Sequence, residues 1–274
     1  MIWDLQGKVA VVTGAAGGIG LALCEAFAAE GMRIAMADID PAGLDAAAER
    51  LAADTGVEVL AVPTDVMSWD EVDALEARVV GRFGAVHVLC NNAGVQLPAA
   101  TWEFTRQEWE WVLGVNLGGV VHGVEAFLPG MIERGEPGHV VNTASIGGLV
   151  AFPTLAPYTA AKYAVVGLSE CLEQDLRAHD IPIAVSVLCP GPVLSSLREN
   201  SAVLRPGGER GRDVPLVTGV SKLSPAEVAA QVVDAVRHDR FWILTHPGYK
   251  ETIRERCRGI VDTDVLVVPE LLSG

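Results

Sequence analysis

The chain has 274 residues, with 20 basic and 35 acidic side chains, a formal net charge of −15 and a pI near 4.7. An acidic surface repels phosphate backbones and anionic lipid, so neither nucleic acid nor a membrane surface is an expected partner. Half the residues are hydrophobic, enough for one sizeable core, and a single domain over 1–274 is expected.

The five cysteines (Cys24, Cys90, Cys171, Cys189, Cys257) are scattered, odd in number and without CxxC spacing. Most lie in apolar runs and read as buried thiols, with no disulfide framework or metal site expected. That suits a reducing, cytoplasmic setting. Asp4 stands where a leader would carry basic residues, so no secretory signal is expected. No run approaches the ~20 apolar residues of a membrane span.

In chain order, KVAVVT at 8–13 is a β-branched strand, followed by the turn GAAGGIG and a helical spacing that ends at Gly31. RIAMAD at 33–38 is a second strand, and Pro41 opens a helix to about Thr55. VEVLAVP is a third strand, with Asp65 and Val66 just beyond it. Ser68 caps the next helix, with Asp70 and Glu71 favoured in its first turn by the dipole. AVHVLCNNAG is a fourth strand, and one long helix is expected from about Thr105 to Arg134. GHVVNTAS at 138–145 is the fifth strand. Pro157 leads a helix to about His179, and IPIAVSVLCPG is the sixth strand. Residues 192–222 are polar, glycine-rich and without periodicity. Ser224 opens a helix to about His238, RFWILTHP is the seventh strand, and a tail follows.

Strand and helix alternate throughout, which implies an α/β fold: a Rossmann-like, doubly wound parallel sheet of about seven strands with helices on both faces. The strands are near-continuous apolar runs, as strands covered on both faces should be. Ligands of such sheets bind outside the strand carboxyl ends. The glycine turn, Asp38, Asp65, Asn91, Ser145 and Pro190-Gly191 all fall there, and so converge on one crevice.

The turn residues Gly14, Ala16, Gly17, Gly18, Ile19 and Gly20 allow a pyrophosphate to approach backbone at a helix N-terminus. Asp38, with Ile39 beside it, ends the second strand and can accept from adenosine ribose hydroxyls, or else cap the helix at Pro41. A carboxylate there repels a 2′-phosphate, and neither Ala37, Ile39 nor Ala16 offers a positive charge. NAD is therefore expected rather than NADP. Asp65 and Val66 are placed at the adenine, with a plain turn as the alternative for Asp65. Asn92, Ala93 and Gly94 close the fourth strand beside the cofactor, where Asn92 serves either as a ligand or to hold backbone.

Tyr158 and Lys162 are four apart and share a helix face. A nearby cation favours phenolate, so Tyr158 is expected to titrate below its free value. Ser145, thirteen residues earlier, can hydrogen-bond a carbonyl or alkoxide oxygen. Such a trio reads as acid–base chemistry on a C–O group.

The chain resembles a short-chain dehydrogenase/reductase from its start to about residue 245. The matching residues are TGAAGGIG at 13–20, Asp65-Val66, NNAG at 91–94, Trp109, VNLGG at 115–119, Ser145, YTAAK at 158–162 and PGPVLS at 190–195. The resemblance implies Tyr158 as general acid/base. It implies that Lys162 lowers the Tyr158 pKa and holds the nicotinamide ribose, and that Ser145 binds the substrate oxygen. Asn116 would hold a water that relays protons from Lys162; the alternative is a satisfied structural amide. Pro190, Gly191, Val193 and Ser195 would border the nicotinamide, with serine where the family often has threonine.

The expected function is hydride transfer between NAD(H) and a secondary alcohol or ketone. Substrate contacts are expected from Gln96, Ser145, Ile146, Phe152, Tyr158 and Pro192, mostly apolar, which favours a hydrophobic or aromatic substrate. The stretch 194–222 is expected as a lid, and the tail 246–274 over the pocket or a neighbouring subunit. The resemblance implies a homotetramer built partly through the helices of Asn116 and Tyr158, with a dimer as the alternative. The competing readings are an NADP-dependent carbonyl reductase and a non-catalytic nucleotide-binding regulator.

Overall fold

Valine- and alanine-rich runs form seven strands because β-branched side chains suit a surface packed on both faces. They are β1 (Val9–Thr13), β2 (Arg33–Asp38), β3 (Val59–Pro63), β4 (Val88–Asn91), β5 (Gly138–Thr143), β6 (Ile183–Cys189) and β7 (Trp242–Leu244). All pair in parallel, in the order β3-β2-β1-β4-β5-β6-β7. The computed structural model describes residues 4–207, 221–263 and 266. The strand order reverses between β1 and β4, and register pairs Val12 with both Met36 and Cys90. Thr13, Asp38 and Asn91 thereby end on one sheet edge, where a crevice opens.

Alternate residues of β1 serve opposite faces. Ala10 and Val12 pack with α1 (Gly18–Ala29), α2 (Pro41–Thr55) and α8 (Pro225–Arg237), around Phe27, Leu44 and Val232. Val9 and Val11 pack with α3 (Trp69–Phe83), α5 (Gly119–Arg134) and α6 (Ala156–Ala178), around Leu75, Phe127 and Leu176. Each such side chain contributes about 2 kcal/mol by leaving water. Ser68 caps α3 by accepting from the Glu71 amide, as its sequence position implies.

Four features depart from the sequence expectation. The long helix is α4 (Arg106–Leu113) and α5 joined by a π turn at Gly114–Gly118, centred on Asn116. An amide side chain bonding back to backbone widens that turn. The whole stretch Arg106–Arg134 runs 29 residues and is long and apolar enough to cross a membrane. Its Val120, Phe127 and Met131 are buried in the body of the protein, which accounts for that composition. Within 192–222 the structure has a helix, α7 (Leu197–Leu204), and residues 208–220 of that expected lid lie outside the described residues. The tail forms α9 (Tyr249–Arg258) and a π turn at Gly259–Thr263; of residues 264–274 only Leu266 lies within the described residues. Cys24, Cys90 and Cys189 are buried, whereas Cys171 and Cys257 are exposed on the outer faces of their helices.

Candidate active site

The glycine turn is built by contacts within the protein. Gly14 has φ +66°, and a Cβ there would lie 2.9 Å from the Ala93 Cα. A Cβ on Gly20 would lie 2.0 Å from the Gly14 carbonyl oxygen. The Thr13 hydroxyl accepts from the Asn92 and Ala93 amides at 2.9 and 3.1 Å. Asn92 Nδ2 in turn donates to the Thr13 carbonyl at 2.9 Å. The Asn92 side chain thus ties β4 to β1 and holds backbone.

Gly17 is the N-cap of α1 in extended backbone, with no side-chain cap and no acidic residue in the first helical turn. A Cβ on Gly17 would meet nothing within 4 Å. The first-turn amides are therefore open to an anion, and the helix dipole favours one. Gly18, with φ +55°, faces Ser195 across 3.5 Å measured from a Cβ built on it. Ala16, Ile19 and Gly20 follow the same turn. Asp38 lies beside it, with Oδ2 accepting from the Ala16 amide at 2.9 Å and Oδ1 from the Asp40 amide at 3.1 Å. Asp40, not Asp38, is the N-cap of α2. Ile39 is half exposed next to it.

Asp65 Oδ1 accepts from the Met67 amide at 2.9 Å, so this carboxylate shapes the turn before α3. The Val66 carbonyl accepts from His122 Nδ1 at 2.8 Å. The Val66 side chain joins Val95, Val112, Val115 and Tyr158 in a small apolar cluster.

Across the crevice, Ser145 caps the short 3₁₀ turn Ile146–Gly148 by accepting from the Gly147 amide at 3.0 Å. Its hydroxyl also lies 3.4 Å from the Pro190 carbonyl, and a hydrogen bond joins Ser145 to Tyr158. Lys162 Nζ donates to the Thr143 carbonyl at 2.7 Å and stands 5.6 Å from the centre of the Tyr158 ring. Ser145, Tyr158 and Lys162 are all buried. Gly148 makes this approach possible, since a Cβ there would lie 2.6 Å from the Lys162 carbonyl oxygen. Between Ser145 and Tyr158, Thr154 holds φ +67°, uncommon for a β-branched residue, while its carbonyl accepts from Ala99.

The electrostatics run against one sequence expectation. Burial pushes the Tyr158 phenol up, and the Ser145 hydrogen bond only partly opposes it. Burial also pushes Lys162 down to about 7, with Cys189 nearby opposing. The lysine therefore carries a reduced charge near neutrality, and burial is the main cause that raises the phenol.

Asn116 is fully buried, with Nδ2 donating to the Val95 and Val112 carbonyls at 2.9 Å each and Oδ1 accepting from Val95 at 3.3 Å. The side chain is satisfied within the protein, so any water would have to be held by main chain freed at the π turn. A Cβ on Gly94 would lie 2.9 Å from Asn116 Oδ1 and 3.7 Å from Lys162 Nζ, which places all three together.

Of the substrate candidates, Ile146 is buried beside Ser145, and its amide donates to the Pro190 carbonyl at 2.9 Å. The Gln96 amide donates to Ser201 on α7 at 2.9 Å, which fastens that helix over the crevice. Glu108 on α4 pairs with Arg205 just beyond α7, both largely buried. Pro192 and Val193 pair with Leu223, which holds the 190–195 loop. Phe152 packs edge-on to Tyr249, 6.4 Å between centres. The sequence reading placed the tail from 246 over the pocket without giving His246 or Tyr249 a role; their rings lie against Gly191. Their position directly after the seventh strand is the signal that marks them. Among the described residues, no group of three His, Cys, Asp or Glu could hold a metal.

A family model for short chain dehydrogenase matches residues 8–203. A 1-deoxy-11-beta-hydroxypentalenate dehydrogenase of Streptomyces avermitilis is 39% identical over 245 residues, 88% of this chain and 86% of the relative. A CLA biosynthesis dehydrogenase/reductase of Lactiplantibacillus plantarum is 34% identical over 274 residues, 94% of each protein. The crystal structure of a short chain dehydrogenase/reductase from Burkholderia phymatum in complex with NAD is 38% identical. It superposes with a TM-score of 0.87 over 97% of this chain and 99% of the other. Sheet order, the Ser145–Tyr158–Lys162 cluster and these matches agree, and the chain belongs to the short-chain dehydrogenase/reductase family.

Proposed function

We propose that the protein is an NAD(H)-dependent oxidoreductase of a secondary alcohol or its ketone, with Tyr158 as general acid/base. The observation that carries this is the buried Ser145–Tyr158–Lys162 cluster on the same sheet edge as an uncapped, unobstructed α1 N-terminus. That turn fits a dinucleotide: its amides are open, Gly17 leaves room, and Asp38 stands where ribose hydroxyls would reach. The remaining lone pairs of Asp38 can still accept from a ribose, and its charge disfavours a 2′-phosphate. The similar Burkholderia phymatum structure, a complex with NAD, supports the same choice.

The bound nicotinamide supplies the carbon that exchanges hydride with the substrate. Ser145 and Tyr158 hold the substrate oxygen between two hydroxyls. Tyr158, kept protonated by burial, gives its proton to a ketone oxygen directly. For oxidation it must first lose that proton, so alcohol oxidation strengthens with rising pH. Lys162, anchored on Thr143, sits where it can orient the ribose and stabilise the phenolate once formed. Ile146, Phe152 and Pro192 make a mainly apolar pocket for a hydrophobic or aromatic substrate. Residues 194–207 with α7 act as its lid, and the enzyme works as a cytoplasmic homo-oligomer, dimer or tetramer.

Tyr158→Phe should abolish NAD-linked oxidation of a panel of secondary alcohols while NAD binding persists. Turnover that survives this change would refute the assigned acid/base. Tighter binding of NADPH than NADH, by about tenfold or about 1.4 kcal/mol, would overturn the cofactor assignment.

A further inference from the structure

We infer that the pocket carries a second polar wall, His246 with Tyr249, that recognises an acceptor oxygen of the substrate remote from the reacting carbon. This rests on the oxidoreductase reading above and adds a substrate class to it.

The argument starts from one tautomer. The Gly191 amide donates to His246 Nδ1 at 3.1 Å, and Thr245 Oγ1 lies 2.7 Å from the same nitrogen. The Gly191 amide also lies 3.4 Å from Thr245 Oγ1, and its shorter contact assigns it to Nδ1; on that assignment Nδ1 carries the lone pair and the neutral ring bears its proton on Nε2. Nε2 is buried and has no hydrogen-bond partner among the described residues, and the residue is 8% exposed. A buried N–H without a partner is rare in native folds and marks a place that a ligand or water fills. Because Nδ1 faces Gly191 and Thr245, the ring presents Nε2 away from them.

A second donor stands beside it. Tyr249 is buried, packs edge-on to His246 with 6.2 Å between ring centres, and no hydrogen bond engages its hydroxyl among the described residues. Phe152 continues the row at 6.4 Å from Tyr249, which joins it to the loop that follows Ser145. A Cβ on Gly191 would lie 2.8 Å from His246 Nδ1 and 2.9 Å from Tyr249 Cε2, so glycine is what lets both rings close on this loop. The Ser145 hydroxyl reaches the Pro190 carbonyl at 3.4 Å, and Gly191 follows at once. The imidazole therefore lies within about 9 Å of the Ser145 hydroxyl, counted through that peptide bond.

A buried imidazole N–H at that remove from Ser145, with the Tyr249 hydroxyl beside it, selects a secondary alcohol with an apolar body and a distal carbonyl or carboxylate oxygen. His246 Nε2–H can only donate, so a distal ammonium, which has no lone pair to accept, is rejected.

The test uses the full chain with NAD and three probes: 2-octanol, 7-hydroxyoctanoate and its methyl ester. Wild type should favour the acid or the ester over 2-octanol by about tenfold in kcat/KM. Preference for the acid alone points to a carboxylate, and equal preference to a carbonyl. In His246→Asn the Oδ1 can still accept from Gly191 while the distal donor is gone. That preference should shrink to about twofold, through KM rather than kcat. Tyr249→Phe should shrink it as well, and serves alone if the asparagine variant does not fold. Nitrogen NMR of wild type should show the Nε2–H tautomer, and its signal should shift on adding 7-hydroxyoctanoate. Oxidation of 2-octanol with no preference, or a preference unchanged in the folded variants, overturns this inference alone. No oxidation of any probe overturns it together with the reading on which it rests.

Discussion

Placing a methyl group at Gly17 separates what the glycine turn does for the fold from what it does for a ligand. The backbone there is extended, with φ −168°, which any residue adopts, and the added Cβ meets nothing within 4 Å. Folding is then touched in two small ways. Alanine is a poorer N-cap than glycine by about 0.5 kcal/mol, and it restricts the unfolded chain by about as much. The two offset, so Gly17→Ala should leave the denaturant midpoint nearly unchanged. A pyrophosphate resting on the α1 amides meets the methyl directly. Loss of one charge-assisted hydrogen bond there, about 2 kcal/mol, corresponds to roughly thirtyfold weaker binding. Titration calorimetry with NAD, beside urea unfolding of the free protein, measures both effects. NAD affinity within twofold of wild type, with stability intact, would show that the cofactor does not pass over this turn. Gly20→Ala is the opposite case: its Cβ would lie 2.0 Å from a backbone oxygen, so it should cost at least about 2 kcal/mol of stability.

Lys162 supplies a pH prediction. It sits near 7 in the fold against 10.5 unfolded, so the unfolded chain holds more protons between those values. Stability of the cofactor-free protein should rise with pH across that window, by up to about 1.4 kcal/mol per unit, and Lys162→Met should flatten the rise in urea titrations. Tyr158, shifted upward, opposes this only above its ordinary value near 10. Buried Glu108 accepts from Thr105 at the start of α4 and pairs with the partly buried Arg205. Burial raises its carboxyl pKa, yet those bonds outweigh burial and hold it low. Glu108→Gln should therefore cost about 3 kcal/mol, loosen α7, and raise KM for alcohols, as unfolding and steady-state kinetics would show. Asp38→Ala should narrow the NAD-over-NADP ratio in binding assays by about tenfold. An unchanged ratio would place the ribose elsewhere.

Much of the site was legible because strand ends are legible. Glycines between an apolar run and a helix, Ser145 after the fifth strand, and Tyr158 four residues before Lys162 all follow from local pattern. What could not be read is how polar atoms are spent. Asn92 and Asp65 sit where a ligand would meet them, yet their side chains bond the backbone of Thr13 and Met67. Asn116 is likewise satisfied by Val95 and Val112, and only the π turn around it hints at a water. For Tyr158, spacing shows a cation nearby but not the burial that raises the phenol pKa.

The sequence by itself determined the alternation of elements, the parallel sheet and the crevice at its carboxyl edge, since periodicity, turn residues and crossover handedness depend on neighbours along the chain. The tertiary structure alone decided which side chains remain free to meet a ligand. It folded α7 over the crevice through Ser201 and Arg205, and it brought His246 and Tyr249 against Gly191, more than fifty residues earlier in the chain. Such contacts join remote segments through burial and hydrogen bonding, and neither leaves a period in the sequence.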